Sequence, residues 1–376
     1  MGFDRRQGGG SDDQRRRDDL LRRAAQETAK PARPGSGAGS RDGAGRAARP
    51  SDAGTGSAAK ANRGASYRST PGQRVVPAHP SRVDLHTHSR RSDGVLEPLA
   101  LVAAAANAGV QVLALADHDT LAGVRELNAA GPPSLPLELL PAVEINSVAA
   151  GIPDLWEGEL HILGLGVDAA DEAFEATLER QRGFRLRRFN RIVDRLRQLG
   201  YPVDDQVDRL LSTQGAARGV SLGRPQIARC LVAARYASSV DDAMSRLLGR
   251  GKPAYVPREG LGPMEAISAI RAAGGLPSLA HFADARNRIE LVAELKSYGL
   301  GGLEVHYRHF DVDTIADLTD VGHELRLIPT GGSDYHGDSE TYAEAHATLY
   351  VPDEDATDLF ALLGRRLTIR TEGSPV

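Results

Sequence analysis

Six of the eleven histidines in this 376-residue chain fall beside apolar, strand-like runs, and three carboxylates accompany them. His86 and His88 follow RVDL in VDLHTHS, and Asp93 lies in the Ser-Asp-Gly turn beyond. His118 follows VLALAD, Glu144 follows LLPAV, and His161 stands in ELHILGLG. His281 follows LPSLA, while Asp334 and His336 follow LRLIPTGG. A His-x-His pair on a strand puts both imidazoles on one face, a good bidentate grip on a metal. The donors are nitrogen and oxygen without sulfur, which suits Mn2+, Zn2+ or Fe2+ rather than Ca2+ or a thiolate-held ion. Nine donors exceed the needs of one ion. They suit two or three, with a carboxylate bridging a pair, and such clusters activate water and clamp phosphoryl oxygens. Taken singly, each motif has a plainer reading as a helix cap, a turn or a hydrogen-bonded core histidine. Their joint recurrence at strand ends carries the metal reading.

The strands must then lie side by side with their ends together. Leu96–Ala108 reads as a buried helix, with Pro98 near its first turn and Gly109 after its end. Val110–Ala116 reads as a buried strand. The same helix–Gly–strand phrase recurs as Met264–Ala273 before Leu276–Ala280 and as Leu291–Ser297 before Leu303–His306. Ile315–Val321 before Leu325–Pro329 follows a similar order. This alternation predicts parallel strands with right-handed crossovers, in an α/β barrel or open sheet. In a barrel the carboxyl ends of the strands converge on one face, where active sites form. Residues 170–250 read differently, as long helices with few strand signals. Arg180–Leu199 sets Phe184, Phe189, Ile192, Val193, Leu196 and Leu199 among eight arginines. We expect a helical insertion over about 170–255 inside a body spanning 79–376.

The net charge of −4 implies no strong nucleic-acid or membrane partner, but it hides an asymmetry. Residues 1–78 hold 16 Lys/Arg against 8 Asp/Glu, and the rest holds 30 against 42. The first 78 residues lack sustained apolar periodicity beyond a candidate short helix at Asp18–Thr28, so a disordered basic tail is expected. One cysteine, Cys230, excludes a disulfide framework and a cysteine-based zinc finger. The start has no apolar signal core, and Arg6 breaks the myristoylation pattern. Leu101–Ala116, the longest apolar stretch, is interrupted by Asn107, Gly109 and Gln111. The expectation is a soluble, cytoplasmic protein without a membrane partner or an obligate protein partner.

A serine-hydrolase alternative has one foothold. Gly219-Val220-Ser221-Leu222-Gly223 matches the nucleophile-elbow pattern, but QGAAR precedes it where an apolar strand is required. No Walker loop or dinucleotide-binding glycine motif is present.

In order, VDLHTHSRRSDG, LALADHDT, PAVEI, LHILGLG, LAHF and TGGSDYHG resemble the successive motifs of the PHP (polymerase and histidinol phosphatase) phosphoesterases over about residues 82–376. The chain looks most like the branch with nucleoside 3′,5′-bisphosphate phosphatases and RNase AM, which also carries a helical insertion. The resemblance implies a distorted (β/α)7 TIM-like barrel. It also implies that His86, His88, Glu144 and Asp334 hold one divalent ion at the catalytic centre. Glu144, His161 and His281 would hold a second, and Asp93, His118 and His336 a third. The expected activity is metal-dependent hydrolysis of nucleotide phosphate monoesters, with Mn2+ preferred and 5′-to-3′ trimming of short oligonucleotides as an extension. Histidinol-phosphate phosphatase and a non-catalytic, metal-dependent nucleic-acid-binding module are the alternatives. Two departures bear on substrate preference. The family often has Gly-Arg-Pro-His where this chain has Gly223-Arg224-Pro225-Gln226, and a Tyr-His-Pro-like run where it has His306-Tyr307-Arg308-His309. Phosphate esters need cations beyond the metals, and arginine's planar fork suits them. Arg182, Arg185 and Arg188 recur at a spacing of three, near one helix face. Arg185 and Arg224 are the candidate grips on a non-reacting phosphate.

Overall fold

The computed structural model describes residues 80–365, except 131–134, 150, 151, 153, 154, 156, 157 and 215–218. The tail over residues 1–78, with its candidate helix, lies outside the described residues. Seven strands form one sheet in chain order: β1 Val83–Thr87, β2 Val112–Leu115, β3 Glu138–Val148, β4 Glu159–Leu165, β5 Leu276–Leu279, β6 Gly302–Tyr307 and β7 Ile328–Gly332. The sheet curls until its edges meet. The Asp334 N–H donates to the His86 carbonyl at 2.7 Å, and the His88 N–H to the Tyr335 carbonyl at 3.1 Å. The result is the expected distorted α/β barrel.

The strands are not all parallel, contrary to the reading from alternation. β4 pairs antiparallel with both β3 and β5. Residues 149–158 alone join β3 to β4, and a parallel return needs a crossover of about a dozen residues or more. β4 therefore begins at the rim where the other strands end.

Helices α1 (Pro98–Asn107) and α2 (Ala122–Ala130) follow β1 and β2. Between β4 and β5 run α3 (Glu172–Gln198), α4 (Asp204–Gln214), α5 (Arg224–Ala233), α6 (Val240–Ala243) with a π-helical turn at Met244–Leu248, and α7 (Pro263–Ala272). Helices α8 (Ile289–Ser297) and α9 (Val312–Leu325) precede β6 and β7, and α10 (Tyr342–His346) and α11 (Asp353–Leu362) close the described chain. The last strand sits three residues later than the sequence pattern suggested. Leu325 belongs to α9, which ends where Arg326 turns left-handed at φ 50°. Gly332 lets β7 approach β1, since a Cβ there would fall 2.4 Å from that of His86.

Apolar side chains form three clusters among the described residues. Leu113, Leu115, Val143 and Ile145 face the surrounding helices. Their neighbours Val112, Ala114, Leu140 and Ala142 face the other way, onto Leu359 and Phe360 of α11. Phe189, Ile192, Leu196, Ile227, Leu231 and Leu248 form a separate core within the helices after β4. Asp171 caps α3 by accepting from the Phe174 N–H at 2.9 Å. No helix among the described residues is long and apolar enough to cross a membrane.

Candidate metal centre

All nine sequence-derived donors gather at the rim. They form three overlapping groups, within each of which one donor atom per residue lies within 4.8 Å of every other. One holds His86, His88, Glu144 and Asp334; another holds Glu144, His161 and His281; the last holds His88, Asp93, His118 and His336. His88 thus belongs to two groups, which sequence reasoning did not anticipate. Glu144 joins the first two: its Oε1 lies 2.8 Å from His161 Nδ1 and 3.1 Å from His281 Nε2, and its Oε2 lies 3.3 Å from His88 Nε2.

Local backbone features aim these side chains. Between Asp84 and Thr87, β1 spends one residue more than β2, a bulge of the kind that re-aims a side chain. His161 reaches the rim from the start of β4 because that strand runs backwards. Asp119, His281 and Asp334 adopt left-handed conformations at φ 53°, 33° and 49°, sparsely populated for non-glycine residues and concentrated at functional sites. Asp117 pins the His88–Asp93 loop by accepting from the Ser89 N–H (2.7 Å), the Ser89 hydroxyl (2.6 Å) and the Ser92 hydroxyl (2.7 Å).

The donor set passes a direct test of fit to metal ions. His86 Nε2, both His88 ring nitrogens, Asp93 Oδ1, His118 Nδ1, Glu144 Oε2 and Asp334 Oδ1 are buried without hydrogen-bond partners. His118 Nδ1 and Glu144 Oε2 lie 2.8 Å apart, yet they are not aligned as a hydrogen bond. Buried polar atoms are otherwise almost always paired, and cations aimed at by all of them would satisfy them together.

Burial and opposite charge compete in setting the ionisation of these groups. Burial raises the carboxyl pKa values of Asp93, Glu144 and Asp334, but the surrounding imidazoles bring each well below its ordinary range. Burial lowers His161 and His336, but Glu144 raises the first to about 9, and Asp93 with Asp334 raises the second to about 10. His118 goes the other way, to about 4, because burial outweighs its carboxylates. A raised imidazole holds its proton at neutral pH, and a metal must displace it. Metal binding at pH 8 should therefore release protons, and affinity should climb with pH until about 9–10. Calorimetric titration in two buffers of different ionisation enthalpy reads this directly, and a heat independent of buffer would contradict it.

Sequence reasoning missed Glu304, whose Oε1 lies 3.0 Å from His86 Nδ1 while its Oε2 accepts from the His281 N–H at 2.7 Å. The signal was a carboxylate inside the apolar run GGLEV. Tyr307 was also missed; its hydroxyl donates to Asp334 Oδ2 at 3.3 Å. Arg185 and Arg224, far apart in sequence, line one small, partly open cavity of about 10 Å3 with Arg188 and Arg258. Arg182 does not line it and donates to the Asp119 carbonyl and Glu175 instead. Gln226, where the family often has His, donates to the Ser92 and Ser221 carbonyls and braces the loop before Asp93. Ser221 lies in the loop before α5 with no strand leading into it among the described residues, so the elbow pattern is a coincidence.

No family model matches the chain. A Haemophilus influenzae protein named as a 5′-3′ exoribonuclease is 34% identical over 265 residues, covering 68% of this chain and 90% of that protein. A Chromobacterium violaceum 3′,5′-nucleoside bisphosphate phosphatase is 31% identical over 268 residues, covering 69% and 89%. Among solved structures, a Bifidobacterium adolescentis protein assigned as a metal-dependent phosphoesterase superposes with a TM-score of 0.66 at 30% identity, over 77% of this chain and 98% of that one. Relatives at this identity, matched over most of their length, leave one assignment: the chain belongs to the PHP family of metal-dependent phosphoesterases.

Proposed function

We propose that this phosphoesterase acts on nucleotides, with 3′-phosphorylated nucleoside 5′-phosphates as its preferred substrates and short oligonucleotides, trimmed from the 5′ end, as a further class. The observation carrying this reading is the arginine-lined cavity beside the nine donors. Arg185 Nη1 donates to Asn146 Oδ1 at 2.6 Å, and Asn146 Nδ2 lies 2.6 Å from His161 Nε2. One side chain thus separates an anion-binding cavity from a candidate metal ligand. A substrate with two phosphates fits that pairing, one phosphate for the arginines and one for the metal groups.

In this reading His86, His88, Glu144 and Asp334 hold one ion, Glu144, His161 and His281 a second, and Asp93, His118 and His336 a third. Mn2+ is the first choice, with Zn2+ or Fe2+ as alternatives. Divalent ions bound there supply positive charge for the phosphoryl oxygens and an acidified water. The chain's own residues do the rest. Arg185 and Arg224 hold the non-reacting phosphate, and that remote binding energy positions the scissile ester. Glu304 fixes the His86 ring, and Tyr307 holds one oxygen of Asp334 so that the other faces His86 and His88 at 3.4 and 3.1 Å. Histidinol phosphate fits less well, since its cationic amine would face arginines.

A substrate panel tests this reading. After chelation and reloading with Mn2+, phosphate release from a 3′,5′-bisphosphate should exceed that from histidinol phosphate by at least about tenfold, the effect of one charge-assisted contact. Equal rates on the two, or a preference for histidinol phosphate, would overturn it.

A further inference from the structure

Two separate polar chains end on one atom, His161 Nε2. The first runs from Arg185 through Asn146. The second runs from Arg258, whose Nε lies 2.7 Å from Glu159 Oε1, to Glu159 Oε2, 3.5 Å from His161 Nε2. Glu159 is 7% exposed, Asn146 is 1% exposed, and neither is among the nine donors.

The two neighbours ask opposite things of that nitrogen. An arginine can only donate, so the Asn146 atom facing Arg185 must be its carbonyl oxygen. The amide then turns its NH2 toward His161, a geometry satisfied only if Nε2 is an acceptor. A neutral imidazole with an accepting Nε2 carries its proton on Nδ1, the atom that points at Glu144 and His281. That tautomer cannot ligate through Nδ1. A carboxylate imposes the reverse: Glu159 can only accept, which favours Nε2–H and frees the Nδ1 lone pair.

We propose that Glu159 is the positioning residue that makes the neutral His161 ring competent to bind metal, working against Asn146, which favours the incompetent tautomer of that ring. The inference rests on the reading of Glu144, His161 and His281 as a metal group. Ligating histidines commonly hand their second N–H to a carboxylate, and loss of such a partner weakens metal affinity about 10–100-fold. Here the carboxylate is itself held by Arg258, and both Arg258 and Arg185 line the anion cavity. The tautomer of one ligand is thus set from the wall of the proposed phosphate site.

The test is Mn2+ binding to the full chain by equilibrium dialysis, without substrate. Glu159→Gln keeps the shape and removes the charge. It should weaken one class of Mn2+ equivalents by about 10–100-fold and leave the others unchanged. Asn146→Ala removes an equally buried neighbour of the same nitrogen, and it should leave that class at wild-type affinity or tighter. Equal weakening in both variants would mean general damage to packing and would overturn the proposal, as would full affinity in Glu159→Gln. His161→Ala separates the two readings. If it abolishes one class of Mn2+ while Glu159→Gln does not weaken it, the role of Glu159 fails alone. If His161→Ala itself leaves Mn2+ binding intact, the metal group is wrong. As an independent readout, 15N spectra of the Zn2+-loaded wild type should show His161 protonated at Nε2, and a proton at Nδ1 would overturn the proposal.

Discussion

Replacing His88 with alanine should strip bound metal from the chain and lower kcat/KM for nucleotide phosphate esters by more than about a hundredfold. The floor is set by outer partners of metal ligands, whose loss alone costs about 10–100-fold. His88 sits in two of the three donor groups, with both ring nitrogens buried and unpaired, so its removal opens both. Asp334→Ala should act similarly through the group it shares with His86, His88 and Glu144. Metal content by elemental analysis and initial rates under added Mn2+ read the outcome, with circular dichroism to show that the fold survives. Near-wild-type turnover with a full metal complement in either variant would remove these residues from the centre.

The second large effect belongs to Arg224. In Arg224→Ala, kcat/KM for a 3′,5′-bisphosphate should fall by about tenfold to a thousandfold, the range for losing a charge-assisted contact. An aryl phosphate, with no second phosphate to hold, should keep its rate within about twofold. Arg185→Ala should be less selective. Its Nη1 donates to Asp119 Oδ2 at 2.8 Å and to Asn146, so its loss also loosens the loop after His118 and damages both substrates. A uniform loss in Arg224→Ala would place that residue in the fold or the chemistry instead. An unchanged rate on both substrates would return it to ordinary packing.

The donors were legible because their chemistry is local: most stand at the end of an apolar run, and the alternation of helices and strands says that those ends converge. The direction of β4 was not legible from the same pattern. LHILGLG reads identically up or down, and only the short link from β3 decides it. The π-helical turn at Met244–Leu248 and the left-handed turns at His281 and Asp334 were also hidden, because tertiary contacts impose them on residues with no local preference for them. The arginine-lined cavity was half visible. Arg185 and Arg224 stood out in the sequence, whereas Arg258 and Glu159 meet them only through folding.

The reversed strand has a consequence for how this protein can vary. Because β4 begins at the rim, the chain leaves it at the far end of the barrel, where the Asp168 N–H donates to the Ala273 carbonyl just before β5. Helix α3 must then carry the chain back. Its 27 residues span about 40 Å, and partway along it Gln181 donates to the Asn146 carbonyl and Arg185 meets Asp119. The first half of α3 is therefore a ruler, and its length in residues sets the height at which the arginines arrive. Surface substitutions along it should be freely exchanged among relatives. A deletion or insertion of one residue there would rotate the arginine face by about 100°, and a whole turn would shift it by about 5.4 Å. Length changes should instead collect after Gln198, where no distance to the rim remains to be measured.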